Sequence, residues 1–310
     1  MKKSRVLILG ASGMLGSMLV DFLSRKEDLS LTATVRSQKL LDGFQKRASH
    51  VTCKIFEITD ESKTIEQLEE FPEPDWVINA IGIIKPYIHD DEAFEVERGI
   101  IGNACFPFWL ARVFKRSRIL QIATDCVYSG QKGRYIESDK HDAIDVYGKT
   151  KSLGEVQLPN VNLLRCSIIG PEVKSHVSLL EWFLGQPENA NVSGFTNHSW
   201  NGVTTLHFAK ICYGIISNDL SLPNLSHVVP HGDITKHDLL CCFAESFNRK
   251  DIKITAANAQ YMIDRRLATE KQKINAELWK NAGYEERPPS VCEMVTELAA
   301  YDFRFGGMGR

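Results

Sequence analysis

The chain has 310 residues, 43% of them hydrophobic and 25% charged, with 37 basic side chains against 39 acidic ones and a formal net charge of −2. That length accommodates one large domain or a nucleotide-binding domain with a second lobe, and the balanced charge gives no reason to expect nucleic acid or a membrane surface as a partner. No segment approaches the roughly 18 uninterrupted apolar residues of a membrane span, and the apolar run behind the basic start is too short for a secretory signal, so a soluble, cytoplasmic protein is expected.

In chain order, short apolar runs at 6–9, 31–35, 51–56, 76–80, 119–124 and 161–165 predict strands, and amphipathic stretches at 14–24, 39–46, 62–71, 94–115 and 147–157 predict the helices between them. Strands apolar on both faces and separated by helices call for a parallel sheet covered on both sides, the doubly wound α/β Rossmann architecture. Past about residue 170 the rhythm changes. A helix is expected at 177–184, a loop rich in Asn, Gly, Ser and Thr at 188–205, a helix at 206–217 and a short strand at 227–230. A helix capped by Asp233 or Thr235 follows, then helices at 269–281 and 291–301. Residues 1–170 read as the dinucleotide-binding domain and 171–310 as mainly a smaller substrate-binding lobe, with the helix near 206–217 returning to the first domain. The Gly-rich end, 305–310, reads as frayed.

The eight cysteines, at 53, 105, 126, 166, 212, 241, 242 and 292, form no CxxC pair and read mostly as reduced, buried, small hydrophobes. His89 to Glu92 and the histidines at 227, 231 and 237 lack a metal-ligand pattern, so no metal is expected.

Directly after the first strand stands Gly10-Ala11-Ser12-Gly13-Met14-Leu15-Gly16. Gly10 permits a tight turn, Gly13 lets the backbone approach a pyrophosphate, Gly16 lets the helix pack closely, and the helix N-terminus faces the phosphate charge. The spacing is GxxGxxG, a variant of the dinucleotide fingerprint. At the end of the second strand, where NAD-binding proteins place an acid for the ribose hydroxyls, stand Arg36 and Ser37. A cation there suits the extra 2′-phosphate, so NADPH/NADP is favoured, with NAD the alternative. Glu57 and Ile58 would flank the adenine.

Tyr147 and Lys151 form a YxxxK motif at the start of a helix, after a disordered-looking polar stretch. Four residues apart on a helix share a face, so the Lys151 ammonium can lie beside the Tyr147 phenol and stabilise its phenolate. Such a tyrosine exchanges a proton with a carbonyl or alcohol oxygen. The strand at 119–124 ends in Thr124, placing a hydroxyl at the carboxyl edge of the sheet, where open α/β folds bind ligands.

These residues carry a resemblance. Ala123-Thr124-Asp125-Cys126-Val127-Tyr128-Ser129-Gly130, through Val146-Tyr147-Gly148-Lys149-Thr150-Lys151, resembles the dTDP-4-dehydrorhamnose reductases and related capsule and O-antigen enzymes, extended short-chain dehydrogenase/reductases. Asn79-Ala80-Ile81-Gly82, Asn103-Ala104-Cys105-Phe106-Pro107 and Leu164-Arg165-Cys166 extend it from residue 6 to about 171. The resemblance implies reduction of a 4-keto-6-deoxy sugar on a nucleotide, with hydride from NADPH. Tyr147 would supply the proton, Thr124 would hold the keto oxygen, and Lys151 would tune Tyr147 and grip the nicotinamide ribose. Ala80, Ile81 and Gly82 would line the cofactor.

Sugar-nucleotide 4,6-dehydratases place Asp-Glu after this threonine, and this chain has Asp125-Cys126, which disfavours dehydration. GDP-fucose synthases place a cysteine like Cys126 and a histidine in a position like His176, so a 3,5-epimerase working ahead of the reductase stays open, as does a cofactor-packing role for Cys126. Lys85, Val127, Trp200 and Asn201 are further candidate substrate contacts; Trp200 anchoring its loop to the core is the alternative. A non-catalytic NADP(H)-binding sensor and an oxidase running in the reverse direction also stay open, and a homodimer built on a helix pair is compatible with the resemblance.

Overall fold

A computed structural model of the chain describes residues 3–174 and 176–306, so the end expected to fray lies outside the described residues from 307 onward. The first half runs β1 (Ser4–Leu9), α1 (Met14–Leu23), β2 (Leu29–Val35), α2 (Gln38–Gln45), β3 (Thr52–Ile55), α3 (Glu61–Glu69), β4 (Trp76–Asn79), α4 (Ala93–Gly99), α5 (Phe106–Val113), β5 (Arg118–Thr124), α6 (Val146–Leu153) and β6 (Val161–Cys166). The second half runs β7 (Ile168–Ile169), α7 (Leu179–Leu184), β8 (Asn191–Phe195), β9 (His198–Trp200), β10 (Val203–Thr204), α8 (Thr205–Ser217) and β11 (Leu225–His227). It closes with β12 (Ile234–Thr235), α9 (Lys236–Ser246), β13 (Lys253–Ala257), β14 (Ile263–Asp264), α10 (Gln272–Asn281) and α11 (Val291–Ala300).

Seven parallel strands form the central sheet in the order β11-β6-β5-β4-β1-β2-β3, with Ile8 paired to Ala33 on one side and Ile78 on the other. The strand order reverses between β1 and β4, which opens the crevice where doubly wound folds take ligands. Alternation along the strands assigns the two faces. Leu7, Leu9, Val77 and Ile119 pack with Phe106 and Leu110 of α5 and with Phe114 just after it. Val6, Ile8, Ile78 and Leu120 pack on the other face with Met18 and Leu19 of α1 and Phe208, Ile211 and Cys212 of α8. The helix expected to return to the sheet thus shares its core, and Phe22 of α1 meets Tyr213 of α8 edge-on at 6.3 Å.

The structure departs from the sequence expectations at several places in its elements and cysteines. The long helix expected at 94–115 is broken: Ile100–Cys105 is a π-helical segment between α4 and α5. Pro107 has no N–H to return to the Asn103 carbonyl four residues back, and the helix widens there. The expected loop at 188–205 holds three short strands, whose partners β12, β13, β14 and β7 lie elsewhere in the chain. The strand expected at 227–230 begins at Leu225 and joins the main sheet as its seventh member. Finally, Cys166 and Cys212 are buried thiols as expected, four other free cysteines are only half-buried, and Cys242 of α9 and Cys292 of α11 are joined by a disulfide, Cα to Cα 5.7 Å.

Because Ile211 on α8 is 0% exposed in the core it shares with α1, Ile211→Ala is expected to cost about 2–5 kcal/mol by guanidinium unfolding. The whole chain should unfold in one transition; separate melting of the two halves would contradict the shared core.

Candidate active site

The glycine loop is built by close approach. Gly10 has φ +85°, and a Cβ there would stand 2.9 Å from Ile81 Cγ1 and 3.2 Å from the Ala80 carbonyl, so the turn after β1 is pressed against the segment after β4. A side chain at Gly16 would strike the Gly10 carbonyl oxygen. Thr34 ties this loop to the end of β2: its hydroxyl accepts from Gly10 N at 3.2 Å and its carbonyl from Ala11 N at 2.8 Å. Helix α1 then starts at Met14 and Leu15 with no side-chain cap and no acid in its first turn, leaving N–H donors and the positive end of the helix dipole open to an anion. Arg36 and Ser37 follow β2 at the same edge, as do exposed Glu57 and half-buried Ile58 after β3, and Ala80, Ile81 and Gly82 after β4.

Thr124 ends β5, and its Oγ1 accepts from Cys126 N at 3.2 Å and donates to Asp125 Oδ1 at 3.2 Å, capping the 3-10 turn Asp125–Val127. Asp145 caps α6 by accepting from Gly148 N at 2.7 Å. A side chain at Gly148 would strike the Cys126 carbonyl, and one at Gly154 the Asn103 carbonyl; these two glycines let α6 lie against the turn and the π-helical segment. The result sets the Tyr147 phenol beside the Thr124 hydroxyl, close enough for Thr124 to favour its ionised form. Lys151 is 9% exposed and donates to the Ile122 carbonyl at 3.3 Å, while Asn103 exchanges two hydrogen bonds with Ile83 and donates to Thr150 Oγ1 at 3.3 Å. Lys151 is thus engaged with the β5 backbone, and Thr124 is the side chain beside the phenol.

Burial dominates the site's electrostatics. It pushes the Tyr147 phenol well above its ordinary value and the Lys151 ammonium below its own, the latter opposed by Glu155. Tyr147 so placed holds a proton at neutral pH and can give it to an oxygen seated between it and Thr124. The Cys126 thiol is raised to about 12 by burial and by Asp125, so it is no thiolate base.

Several candidates have other surroundings. His176, at φ +50°, pairs with Glu181 at 3.0 Å on an exposed loop and shows no contact with Cys126 among the described residues. Trp200 is 6% exposed and donates to Ser167 Oγ at 2.8 Å, and Asn201 clamps the Leu267 backbone at 2.7 and 3.0 Å; both anchor their segment instead of facing a substrate. Val127 is fully buried in a cluster with Tyr128, Tyr135 and Leu267. Lys85 pairs with Asp145 at 2.7 Å, bracing the start of α6.

The stretch before Tyr147, expected to be disordered-looking, is ordered. Tyr128 stacks on Tyr135 at 4.1 Å, Asp142 accepts from Ser129 N and Oγ, and Glu137 accepts from His227 N and Thr269 Oγ1. Three residues beside the site carried no sequence signal. Lys236 lies 5.1 Å over the Trp200 ring and is lowered to about 8 by burial, against the pull of Asp125. Arg265 donates to the Tyr128 carbonyl at 2.8 Å and opposes the burial that raises the Asp125 carboxyl, and Lys174 reaches Ser12 at 3.4 Å.

With Tyr147 raised and Lys151 lowered, reduction should show no acid limb from the tyrosine and an alkaline limb below pH 10.5, where Lys151 loses its charge. Lys151→Arg should move that limb upward, because guanidinium stays protonated; a pH profile of kcat/KM in which an active Lys151→Arg protein keeps the limb unmoved would assign it to another group.

The RmlD substrate binding domain family matches residues 4–280. The methionine adenosyltransferase 2 subunit beta of Danio rerio is 24% identical over 255 residues, 79% of this chain and 74% of that protein. The dTDP-4-dehydrorhamnose reductase of Bacillus anthracis, crystallised with NADP, superposes with TM-score 0.73 at 18% identity, over 96% of this chain and 98% of that one. The Bordetella bronchiseptica enzyme WbmG, in complex with NAD and UDP, superposes with TM-score 0.72 at 14% identity, over 96% and 94%. The match over nearly the whole chain, on a seven-stranded Rossmann sheet, shows that the chain belongs to the RmlD substrate binding domain family.

Proposed function

We propose that the chain reduces the C4 ketone of a nucleotide-linked 4-keto-6-deoxy sugar, using NADPH, in the cytoplasmic assembly of surface polysaccharide of the capsule or O-antigen kind. The observation that carries this reading is the protonated Tyr147 phenol set beside Thr124 at the carboxyl edge of β5, one strand from the crevice behind Gly10. The residues present fit the cofactor. The glycine loop leaves a cradle a side chain would fill, the N-terminus of α1 is open, and Arg36 makes no ion pair among the described residues. NADPH, when bound, supplies hydride to the ketone carbon. Thr124 holds the ketone oxygen, Tyr147 passes its proton to that oxygen, and Lys151 offsets the charge left on the phenol and binds the nicotinamide ribose. UDP in the WbmG complex supports a nucleotide on the substrate side.

A protonated Cys126 and a His176 paired with Glu181 give no support to an epimerising pair. One observation favours a second reading, a non-catalytic NADP(H)-binding subunit: the curated relatives are named as subunits of methionine adenosyltransferase. NADPH oxidation with a panel of 4-keto sugars on dTDP, UDP, GDP and CDP separates the two. Turnover is expected with at least one sugar, and Tyr147→Phe should cut kcat by about 10²–10⁴ while leaving NADPH affinity within about three-fold. Binding without turnover across the panel would favour the subunit.

A further inference from the structure

We propose that Lys174, supplied by the segment after β7, completes with Ser12 and Arg36 a subsite for a phosphate monoester, the 2′-phosphate of NADP(H). The inference rests on the cofactor site of the reading above and adds to it a specificity-determining residue from beyond the dinucleotide-binding half.

Sequence brings Ser12 and Arg36 together first. They follow the adjacent parallel strands β1 and β2, and Thr34 holds Gly10 and Ala11 to the end of β2, so a hydroxyl and a guanidinium face one sheet edge. Lys174 arrives from the opposite side of the crevice, its Nζ donating to Ser12 Oγ at 3.4 Å. The turn that carries it is fixed by two buried carboxylates. Glu172 accepts from Val177 N at 2.7 Å and Ser178 N at 3.3 Å, and Glu181 accepts from Glu172 N at 3.1 Å and meets His176. Both acids are 6% exposed and engaged with this turn.

Lys174 therefore stands on Ser12, at the edge that Arg36 shares, without a counter-charge. Among the described residues no ion pair involves either one. Partial burial and the nearby Arg36 both lower the Lys174 ammonium, the signature of two cations held in mutual repulsion. Such an arrangement is unfavourable in the free protein and becomes favourable when an anion enters. The ligand must match about two positive charges and a hydroxyl donor. A phosphate monoester, with a charge of about −1.5 to −2 near neutrality and three acceptor oxygens, does so. The pyrophosphate of the same cofactor is served by the open N-terminus of α1, a separate element. NAD lacks the monoester, so the subsite discriminates between the two cofactors.

Isothermal titration of the full chain with NADP⁺, NAD⁺, 2′,5′-ADP and 5′-AMP tests this. Wild type should bind 2′,5′-ADP at least about ten-fold tighter than 5′-AMP, and added salt should narrow the gap. Lys174→Gln should weaken NADP⁺ and 2′,5′-ADP by about ten-fold, the worth of one charge-assisted hydrogen bond, and NAD⁺ by less than about two-fold. Lys174→Arg should restore the preference, which separates lost charge from lost fold. Equal weakening of NAD⁺ and NADP⁺, or no weakening of NADP⁺, would overturn the proposal. So would a wild type indifferent to the 2′-phosphate, even one that turns over with NADH. Failure of every 4-keto sugar to turn over would sink the reductase reading and leave these affinities to decide the subsite.

Discussion

A guanidinium that no water reaches holds together the side of the sheet that carries the candidate site. Arg165 on β6 is 0% exposed and donates to Glu155 at 3.2 and 2.5 Å, to Tyr128 OH at 2.7 Å, to His227 Nε2 at 2.9 Å and to His141 Nε2 at 2.8 Å. Arginine has no acceptor, so both histidines must accept and stay neutral. His227 accordingly gives its Nδ1–H to the Ala268 carbonyl at 2.7 Å, and burial with the Arg165 charge pushes its proton affinity down. One buried cation thus ties together the end of α6, the segment after β5, and strands β6 and β11. Removing one partner of such a set costs about 3–5 kcal/mol, because the charge left behind cannot return to water. Glu155 is also the acid that partly offsets the burial of Lys151.

The same loss of water acts in opposite senses on the two titrating groups of the site. It keeps the Tyr147 proton on and loosens the Lys151 proton. A donor that is charged with its proton before substrate arrives suits a reaction that ends with an oxygen protonated. The thiol two residues past Thr124 experiences the same burial beside Asp125, which keeps it protonated and weakly nucleophilic.

The first half of the fold was legible because its strands are apolar on both faces and its helices are long enough to show their period. The candidate site was legible as a grouping because its residues stand in short local patterns: Tyr147 and Lys151 one helical turn apart, Thr124 at a strand end, the glycines after β1. The second half was not, because β8, β9, β10, β12 and β14 are two to five residues long and gain their hydrogen bonds from segments far along the chain. Polar stretch 129–146 looked unstructured for a related reason: Asp139, Asp142 and Glu137 order it through side-chain to main-chain bonds, which leave no hydrophobic period. Trp200 and Asn201, which looked ready for a ligand, are spent on the core and on Leu267. Lys174, Lys236 and Arg265 acquire meaning only once the lobe has folded over the sheet.

The outermost strand sets an order of events during synthesis. Strands β1 to β6 can pair as soon as they are made, but the free edge of β6 waits for β11, whose His227 lies 62 residues beyond its neighbour Arg165. Until those residues emerge, a nascent chain presents an unpaired edge carrying Val161, Leu163 and Leu164, together with an arginine lacking part of its hydrogen-bonded shell. An exposed apolar edge of this kind invites pairing with other chains. Fragments ending between β6 and β11 are therefore the aggregation-prone products of this sequence, and a chaperone that shields strand edges would act on it in that interval.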